Sequence, residues 1–296
     1  MPTVRVAACQ IDPQLGEVEA NLDRISRAVA DAAAAGAALA VLPEAAVTGY
    51  AFASLSEALP VARKAERIAE KTLSGLAETH RITIVCGSLD PDGNEVFNSA
   101  HILLADGRRY RYRKIHLPFL GVDRFATPGP DAPSMIDVGS YRLGVLICYD
   151  LRFPEAARMC ALEGADLIAL PTNWPVGVEF HPDLFAPARA AENHCYLLAA
   201  DRVGTERGTT FMGRSLLVDY DGKVLAQATD TDEQLLVGDI DPAAARATHV
   251  QRRPGEHEWD TIADRRPGLY RRLLQPGVDR TRHAGANHYP GDADQT

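Results

Sequence analysis

Long apolar segments and paired metal-binding cysteines are both missing from this 296-residue sequence. No stretch of about 18 residues lacks charged or polar breaks, and the opening MPTVRVAACQ does not combine a basic segment with a long apolar one. We therefore expect no membrane span, no signal peptide and a cytoplasmic location. The cysteines are odd in number, scattered and free of any CxxC pair, which favours reduced thiols over disulfides or zinc. They are Cys9, Cys86, Cys148, Cys160 and Cys195.

The sequence also lacks an excess of basic residues. Asp and Glu number 40 against 31 Lys and Arg, which gives a formal net charge of −9. This charge opposes the phosphate contacts on which nucleic-acid binding depends, so we expect no nucleic-acid partner. Hydrophobic residues make up 46% of the chain, which is typical of a globular protein with a sizeable core.

No linker rich in Gly, Pro or Ser and no repeat of fixed period divides the chain. We therefore predict a single domain over residues 1–275. Residues 276–296 have almost no apolar face, which predicts a polar tail.

Short apolar runs of strand length alternate with helical patterns along the chain, which predicts an α/β fold. The predicted strands cover residues 4–9, 38–42, 82–86, 100–104, 143–148, 166–170, 195–200, 215–218 and 235–240. The predicted helices cover residues 21–35, 57–78, 154–163 and 184–193. We expect Asn21 to cap the first helix and Gly36 to close it. Apolar runs without alternation indicate buried parallel strands, and the Asp221–Gly222 turn indicates an antiparallel hairpin.

Cys148 is the cysteine whose context suggests chemistry. It ends the apolar run LGVLIC and precedes YDLRF and Pro154, a residue suited to the first turn of a helix. A thiol at such a turn lies at the carboxyl edge of the sheet, where the following amides can meet an oxyanion. The pattern makes Cys148 a candidate nucleophile, with a buried structural cysteine as the alternative.

Two charged residues follow other predicted strands. Glu44 follows the buried run ALAVLP, at the strand end where open α/β sheets place functional groups, although a solvated carboxylate is the alternative. Lys114 follows alternating arginine and tyrosine in RYRYRK, which also fits a partly exposed strand with solvated charges. Neither residue indicates a function by itself.

Together these segments resemble the carbon–nitrogen hydrolase (nitrilase) superfamily, in its amidase-like branch. LPEAAVTGY around Glu44, YRKIHLP around Lys114 and ICYDLRFPEAAR around Cys148 occur in family order, and the resemblance covers roughly residues 3–272. It implies a four-layer α-β-β-α sandwich, with two sheets face to face and helices outside. It also implies a homodimer or larger even homo-oligomer that hydrolyses a small-molecule amide, with no metal and no organic cofactor.

The residue types supply what amide hydrolysis requires, namely a nucleophile, a proton carrier and an oxyanion donor. In this scheme Cys148 forms a thioester and Glu44 carries the proton and later activates water. Lys114 and the backbone amide of Tyr149 hold the oxyanion. Glu44 must be shielded enough for its pKa to rise toward neutrality.

Family members often carry a further carboxylate in the loop after the lysine motif. Here that loop, HLPFLGVDRFATPG, has no glutamate, and its nearest acid is Asp123. Asp123 either serves as this fourth catalytic residue or pairs only with Arg124. Other residues near the motifs could line the substrate pocket, with ordinary packing as their alternative; they are Tyr50, Phe119, Asn173 and Trp174.

The segment after the nucleophile bears on the substrate. Family members that cleave N-carbamoyl amino acids tend to place adjacent arginines there, whereas this chain has Asp150 beside a single Arg152. We expect Asp150 to pair with Arg152 and weaken it as a substrate-binding group. An aliphatic amidase that releases ammonia is therefore predicted, with an N-carbamoyl amino acid amidohydrolase or a nitrilase as alternatives.

Two other protein classes stay open from the residues. A Cys-His thiol protease would use an imidazole in place of Glu44, and His116 is expected on the same strand face as Lys114. An interaction protein that kept the fold and lost the activity is the other class. The presence of Glu44, Lys114 and Cys148 together favours the hydrolase over both.

Overall fold

The structure, a computed structural model, describes residues 3–133, 135–229, 231–275 and 277. The α-helices in these residues are α1 (Val18–Ala34), α2 (Leu55–His80), α3 (Pro154–Leu162), α4 (Ala186–Asn193) and α5 (Pro242–Arg246). The strands are β1 (Val4–Gln10), β2 (Leu39–Val41), β3 (Thr83–Asp92), β4 (Glu95–Leu103), β5 (Arg109–Arg113), β6 (Ile136–Asp137), β7 (Arg142–Val145), β8 (Leu167–Pro171), β9 (Tyr196–Ala200), β10 (Thr205–Glu206), β11 (Thr209–Thr210), β12 (Leu216–Val218), β13 (Val224–Gln227), β14 (Gln234–Ile240), β15 (His249–Arg253) and β16 (His257–Asp260).

Two six-stranded sheets form the centre of the molecule, in the orders β14-β1-β2-β3-β4-β5 and β13-β12-β9-β8-β7-β6. In each sheet, three parallel strands lie in the middle and antiparallel strands lie on both sides. The parallel trios are β1, β2 and β3 in the first sheet and β7, β8 and β9 in the second. The carboxyl ends of the parallel strands β2, β7 and β8 carry the loops that contain Glu44, Cys148 and Asn173, whereas Lys114 follows the antiparallel strand β5.

The two sheets pack face to face, with helices on their outer sides. On β1, Val6 and Ala8 contribute to the core between the sheets, whereas Ala7 and Cys9 face the helices α1 and α2. Helices α3 and α4 cover the second sheet next to β7 and β9. The prediction of a four-layer α-β-β-α sandwich is confirmed.

The first helix begins before the predicted position. Helix α1 starts at Val18, and Asn21 is buried inside it, so the prediction of an Asn21 cap is wrong. The Asn21 amide instead donates to the backbone oxygens of Gln14 and Val47, which ties the helix to the loop after Glu44. Gly36 closes the helix with a φ of 80°, as predicted.

Several other element boundaries differ from the prediction. The strand predicted over residues 143–148 ends at Val145, because the chain turns at Cys148. Helix α4 begins at Ala186, after a single wider turn over His181–Phe185. The predicted hairpin is confirmed, with β12 and β13 antiparallel around Gly222.

Two predictions about the chain as a whole have different outcomes. In the described part of the chain, no helix is long and apolar enough to cross a membrane. The domain boundary at residue 275 stays a prediction, and the tail over residues 276–296 lies outside the described residues except for residue 277.

Candidate active site

Cys148 lies at a sharp turn between β7 and α3. Ile147 is still extended, but Cys148 has a φ of 42° and begins one 3₁₀ turn, Cys148–Arg152. A positive φ is uncommon for a residue with a side chain, and it bends the chain away from the strand direction. The Cys148 side chain is thereby placed at the carboxyl edge of the second sheet, where the residue is 9% exposed.

Glu44 reaches the site from the first sheet, shortly after β2 ends at Val41. The chain around it passes very close to β3. A Cβ on Gly87 would lie only 2.4 Å from the Pro43 carbonyl oxygen and the Ala45 nitrogen. Gly87 therefore allows the segment that carries Glu44 to lie against β3.

Lys114 follows β5 and lies between two carboxylates. Its Nζ is 2.7 Å from Glu44 Oε1 and 2.6 Å from Asp123 Oδ2, and all three side chains are buried. Arg124 donates to the backbone oxygens of Gly121 and Phe52. The Asp123 carboxylate thus pairs with Lys114, and the alternative in which it pairs only with Arg124 is wrong.

Asn98 completes this cluster and was not identified from the sequence. Its Nδ2 donates to Glu44 Oε1 at 2.7 Å and to Asp123 Oδ1 at 2.8 Å. Asn98 lies in the middle of β4, where every neighbour from Val96 to Leu103 except Phe97 is almost inaccessible to solvent. A lone amide side chain within such a buried strand is the signal that could have identified it.

The two carboxylates differ in their free hydrogen-bonding capacity. Asp123 uses Oδ1 for Asn98 and Oδ2 for Lys114 and the Tyr50 hydroxyl. Glu44 uses Oε1 for Lys114 and Asn98, whereas its buried Oε2 has no hydrogen-bond partner among the described residues. One carboxylate oxygen therefore remains available to accept a proton.

The charges of this cluster act strongly on one another because all three charged side chains are buried. Burial raises the pKa of Glu44, an effect that Lys114 opposes and Asp123 reinforces. Burial disfavours the charge on Lys114, but Asp123, Glu44 and Cys148 more than offset this, so its pKa lies well above the usual range. Lys114 is therefore an ammonium across the physiological pH range.

The Cys148 thiol is neutral in the resting structure. Burial and the Glu44 carboxylate raise its pKa well above 9.0, while Lys114, the Thr172 hydroxyl and the Asn173 backbone amide act in the opposite direction. The thiol must then lose its proton to a neighbouring base during the reaction rather than beforehand. Glu44 is the carboxylate whose charge acts on this sulfur.

The predicted pocket residues divide into two groups. Tyr50 is buried and donates its hydroxyl to Asp123 and to the Leu120 carbonyl oxygen. Asn173 and Trp174 follow β8 and are both 1% exposed, and the polar atoms of their side chains have no partner among the described residues. Phe119 differs from these three residues because 71% of its surface is exposed.

Asp201 supports this strand end and was also not identified from the sequence. It follows β9, and its Oδ1 accepts hydrogen bonds from the backbone amides of Trp174 and Arg202. The chain after β8 is therefore held from the neighbouring strand.

The prediction that Arg152 pairs with Asp150 is wrong. The Arg152 guanidinium lies 5.0 Å above the Phe180 ring and within 6 Å of the rings of Tyr149 and Phe185. Asp150 points into the protein, and its Oδ1 is 2.8 Å from His116 Nδ1. Tyr149, whose amide is the predicted oxyanion donor, directly follows Cys148 in the 3₁₀ turn.

His116 is bound to Asp150 instead of Cys148. Its ring stacks on Phe153 with centroids 3.7 Å apart and an interplanar angle of 8°. This arrangement disfavours the Cys-His protease, because the carboxylate of Glu44 has the place that an imidazole base would need. Across the described residues, no group of three or more His, Cys, Asp or Glu side chains is placed to hold a metal ion.

Comparisons with known proteins agree with this geometry. A family model described as "Carbon-nitrogen hydrolase" matches residues 5–250. The chain is 39% identical over 239 residues to "Nitrilase" of Pyrococcus abyssi. The matched region covers 80% of this chain and 90% of that protein. It is 32% identical over 203 residues to "2-oxoglutaramate amidase" of Bacillus subtilis. That matched region covers 68% of this chain and 77% of that protein.

A solved structure is similar over nearly the whole chain. It is an amidase from Nesterenkonia sp. AN1 that shows Michael addition of acrylamide at the active-site cysteine. The TM-score is 0.80 at 29% identity, with 92% of this chain and 100% of that chain covered. From the matched family model, the relatives and the shared fold, we conclude that this chain belongs to the carbon–nitrogen hydrolase family and is a hydrolase of the nitrilase superfamily.

Proposed function

We propose that the protein is an amidase that hydrolyses short, linear aliphatic amides and releases ammonia through a thioester on Cys148. One observation carries this proposal. Lys114 is held between Glu44 and Asp123, which leaves Glu44 Oε2 buried and without a hydrogen-bond partner among the described residues, and the charges of Glu44 and Lys114 both act on the Cys148 thiol. This arrangement supports the assignment of a base, a cation and a nucleophile to one buried cluster.

In the acylation half, Glu44 takes the proton of the Cys148 thiol as the sulfur attacks the amide carbon. The Lys114 ammonium and the Tyr149 backbone amide stabilise the negative oxygen of the tetrahedral intermediate. The proton then passes from Glu44 to the leaving nitrogen as the C–N bond breaks. Ammonia departs and the acyl group remains on the sulfur as a thioester.

In the deacylation half, Glu44 removes a proton from water, which attacks the thioester carbon. The same two donors stabilise the second tetrahedral intermediate. When it collapses, the C–S bond breaks, the sulfur recovers the proton from Glu44, and the carboxylic acid leaves. Glu44 therefore acts as base and acid in turn, which suits a carboxyl group whose pKa is raised by burial.

We assign Asp123 a positioning role. Both of its oxygens are already occupied by Lys114, Asn98 and Tyr50, so neither is free to exchange a proton with a substrate. Its charge keeps Lys114 protonated and fixes the direction of the ammonium.

The enclosure of the nucleophile supports a short substrate. Cys148 is 9% exposed, and Asn173 and Trp174, which follow β8, are 1% exposed, so the sulfur lies in a region that is largely shielded from solvent. The unpaired polar atoms of the Asn173 and Trp174 side chains support the binding of a small polar group such as the carboxamide.

The test is ammonia release from acetamide, propionamide and butyramide by the wild-type protein and by Cys148→Ala. We expect turnover by the wild type, no turnover by the variant, and an acyl adduct on Cys148 in intact-protein mass spectrometry after rapid acid quenching. Cys9→Ala is the control and should keep its activity, because Cys9 lies in the outer core against α1. Ammonia release by Cys148→Ala at a rate near that of the wild type would contradict the thioester mechanism.

A further inference from the structure

Asp150 connects the two chain segments that carry Lys114 and Cys148. Its Oδ2 accepts hydrogen bonds from the Tyr112 hydroxyl at 2.8 Å and from the Ile147 backbone amide at 3.0 Å. Its Oδ1 accepts hydrogen bonds from His116, through the backbone amide at 3.1 Å and through Nδ1 at 2.8 Å. The side chain of Asp150 is fully buried, so these are its partners in place of water.

The positions of these donors along the chain are informative. Tyr112 and His116 lie two residues before and two residues after Lys114, while Ile147 directly precedes Cys148. The carboxylate therefore holds one residue on each side of Lys114, Tyr112 through its hydroxyl and His116 through its backbone amide and ring, and at the same time the residue before the nucleophile.

The connection crosses from one sheet to the other. Lys114 follows β5 at the edge of the first sheet, whereas Cys148 follows β7 in the second. Hydrogen bonds within a sheet therefore cannot set the separation between the ammonium and the sulfur. A buried carboxylate that accepts charge-assisted hydrogen bonds from both segments can set it, because such bonds are short and strong.

Neighbouring side chains stiffen this connection. The His116 ring stacks on Phe153, which fixes its plane and directs Nδ1 at Asp150. Tyr112 is 7% exposed, and burial together with the Asp150 charge raises the pKa of its hydroxyl, which therefore stays protonated and donates. Each donor is thus held in its bonding position by packing as well as by the hydrogen bond.

We propose that Asp150 is a positioning residue that sets the distance between the Lys114 ammonium and the Cys148 sulfur through Tyr112 and His116. The inference rests on the proposed function, in which Lys114 stabilises the oxyanion that forms on Cys148. Asp150 acts through these two residues and does not itself contact the reacting atoms.

The variants remove one donor at a time. Tyr112→Phe deletes the hydroxyl, and His116→Leu deletes the ring donor at similar volume. His116→Asn retains an amide donor near the position of Nδ1 and serves as the conservative rescue. Tyr110→Phe is the matched control, because Tyr110 lies on the same strand, is 40% exposed, and accepts a hydrogen bond from Arg108.

The first measurement is the rate of alkylation by iodoacetamide as a function of pH, with Cys148→Ala as the background. It reports the influence of Lys114 on the thiol and requires no amide turnover. The charges that face the sulfur are Glu44 and Lys114. If Tyr112→Phe and His116→Leu let Lys114 move away, the alkylation midpoint should rise by about half a pH unit or more.

The second measurement separates kcat from KM with propionamide. We expect kcat to fall by about tenfold to a hundredfold in Tyr112→Phe and His116→Leu, with KM changed by less than about threefold, because an oxyanion donor acts in the transition state. His116→Asn should recover most of the loss, and Tyr110→Phe should match the wild type in both measurements.

The outcomes distinguish the two proposals. An unshifted alkylation midpoint in both donor variants would overturn the role of Asp150. This conclusion would hold even if kcat fell, provided that kcat fell only in proportion to the fraction of enzyme that can be alkylated. A wild type that is alkylated at Cys148 but hydrolyses no amide would contradict the proposed function, and the midpoints would still test Asp150. If one donor variant fails to fold, the other decides.

Discussion

The ammonium nitrogen of Lys114 lies 2.7 Å from Oε1 of Glu44, and neither side chain is exposed to solvent. Removing two charges from water is costly, and a buried pair is stable only when the remaining polar atoms are also satisfied. Asp123 and Asn98 provide this satisfaction in part, because Asp123 accepts from Lys114 and Asn98 donates to both carboxylates. Among the described residues, Glu44 Oε2 is the carboxylate oxygen of this network that lacks a partner, which leaves it available for proton transfer, and the Asn98 amide oxygen is also unpaired.

Lys114→Met tests the electrostatic part of this network. Methionine has a similar length and no charge, so kcat should fall by about 10²- to 10³-fold through loss of the oxyanion donor. It also leaves the buried Glu44 without its counter-charge, which raises the folded pKa of Glu44 further above its value in the unfolded chain. Folding then takes up protons, so the free energy of unfolding of the variant should be lower than that of the wild type at pH 8.

The same variant should regain stability as the pH falls. A carboxyl whose folded pKa is raised favours the folded state below that pKa and disfavours it above. Urea denaturation of Lys114→Met and the wild type at about pH 5.5 and about pH 8 should therefore show a smaller difference in the free energy of unfolding at the acid value. An equal difference in the free energy of unfolding at both pH values would contradict a raised pKa of Glu44 in the variant.

Glu44→Gln tests the proton carrier. The glutamine oxygen can still accept from Lys114, but the free oxygen is replaced by an amide, so kcat should fall by about 10²- to 10⁴-fold with little change in Tm. In the wild type, Glu44 must be ionised to act as the base. Its pKa is raised above 4.5 by burial, so kcat/KM should decline as the pH falls through a midpoint above 4.5.

The matched control for this variant is Glu70→Gln. Glu70 pairs with Arg109 and Arg111 on the surface and is 40% exposed. It should keep normal turnover. Glu44→Gln with near-normal turnover would exclude Glu44 as the base, whereas a wild-type acid midpoint at or below 4.5 would contradict the raised pKa of Glu44.

Functional residues at strand ends could be predicted from the sequence, whereas hydrogen bonds between neighbouring strands and loops could not. Cys148 and Glu44 could be located because an apolar run of strand length ends next to each of them. Asn98 could not be located this way, since it lies inside a strand and its partners are 25 and 54 residues away in the chain. Asp201 directly follows the predicted strand over residues 195–200 and carried the same signal as Glu44, but its contact with the Trp174 amide, 27 residues away, could not be predicted. Local patterns carry no record of such long-range contacts.

The error about Asp150 and Arg152 has a related cause. Adjacent opposite charges predict a local pair, but the 3₁₀ turn that follows Cys148 directs Asp150 inward and leaves Arg152 at the surface. The direction of each side chain depends on the positive φ of Cys148, and residue composition does not determine that angle. The Asn21 error is similar, because its amide bonds to the distant Val47 carbonyl.

Gly87→Ala tests the close approach between β3 and the Glu44 segment. The new Cβ would lie 2.4 Å from two backbone atoms, so the segment must shift, and both stability and kcat should fall. We expect a loss of about 1–3 kcal/mol in the free energy of unfolding. Gly75→Ala is the control, because Gly75 is exposed within α2 and its Cβ meets no atom within 4 Å. This control should be more stable by about 0.5–1 kcal/mol.

Asp123→Asn tests the positioning role of the shorter acid. Asparagine can keep one hydrogen bond but removes the charge that faces Lys114, so kcat should fall moderately, by about tenfold to a hundredfold. The loss should be smaller than in Glu44→Gln, because Asp123 does not transfer the proton. Steady-state kinetics with propionamide provides the measurement. Unchanged kinetics would leave Asp123 without a role in turnover.

The last prediction concerns the choice of substrate. Glu44 and Asp123 carry two negative charges against the single positive charge of Lys114, so the cluster around the neutral thiol is net negative. An N-carbamoyl amino acid would bring a further carboxylate to this site. Arg152 is the nearest arginine in the sequence, but it is exposed, lies over aromatic rings and has no second arginine beside it to grip a carboxylate.

We therefore expect kcat/KM to be highest for propionamide and butyramide, lower for N-carbamoyl amino acids and lowest for nitriles, whose linear C≡N group lacks the carbonyl oxygen that Lys114 and Tyr149 stabilise. Ammonia release measured at matched concentrations across the three classes provides the ranking. A higher kcat/KM for any N-carbamoyl amino acid than for propionamide would reverse it. If Arg152→Gln then removed that preference by raising KM for the carbamoyl substrate alone, the guanidinium would be the carboxylate anchor.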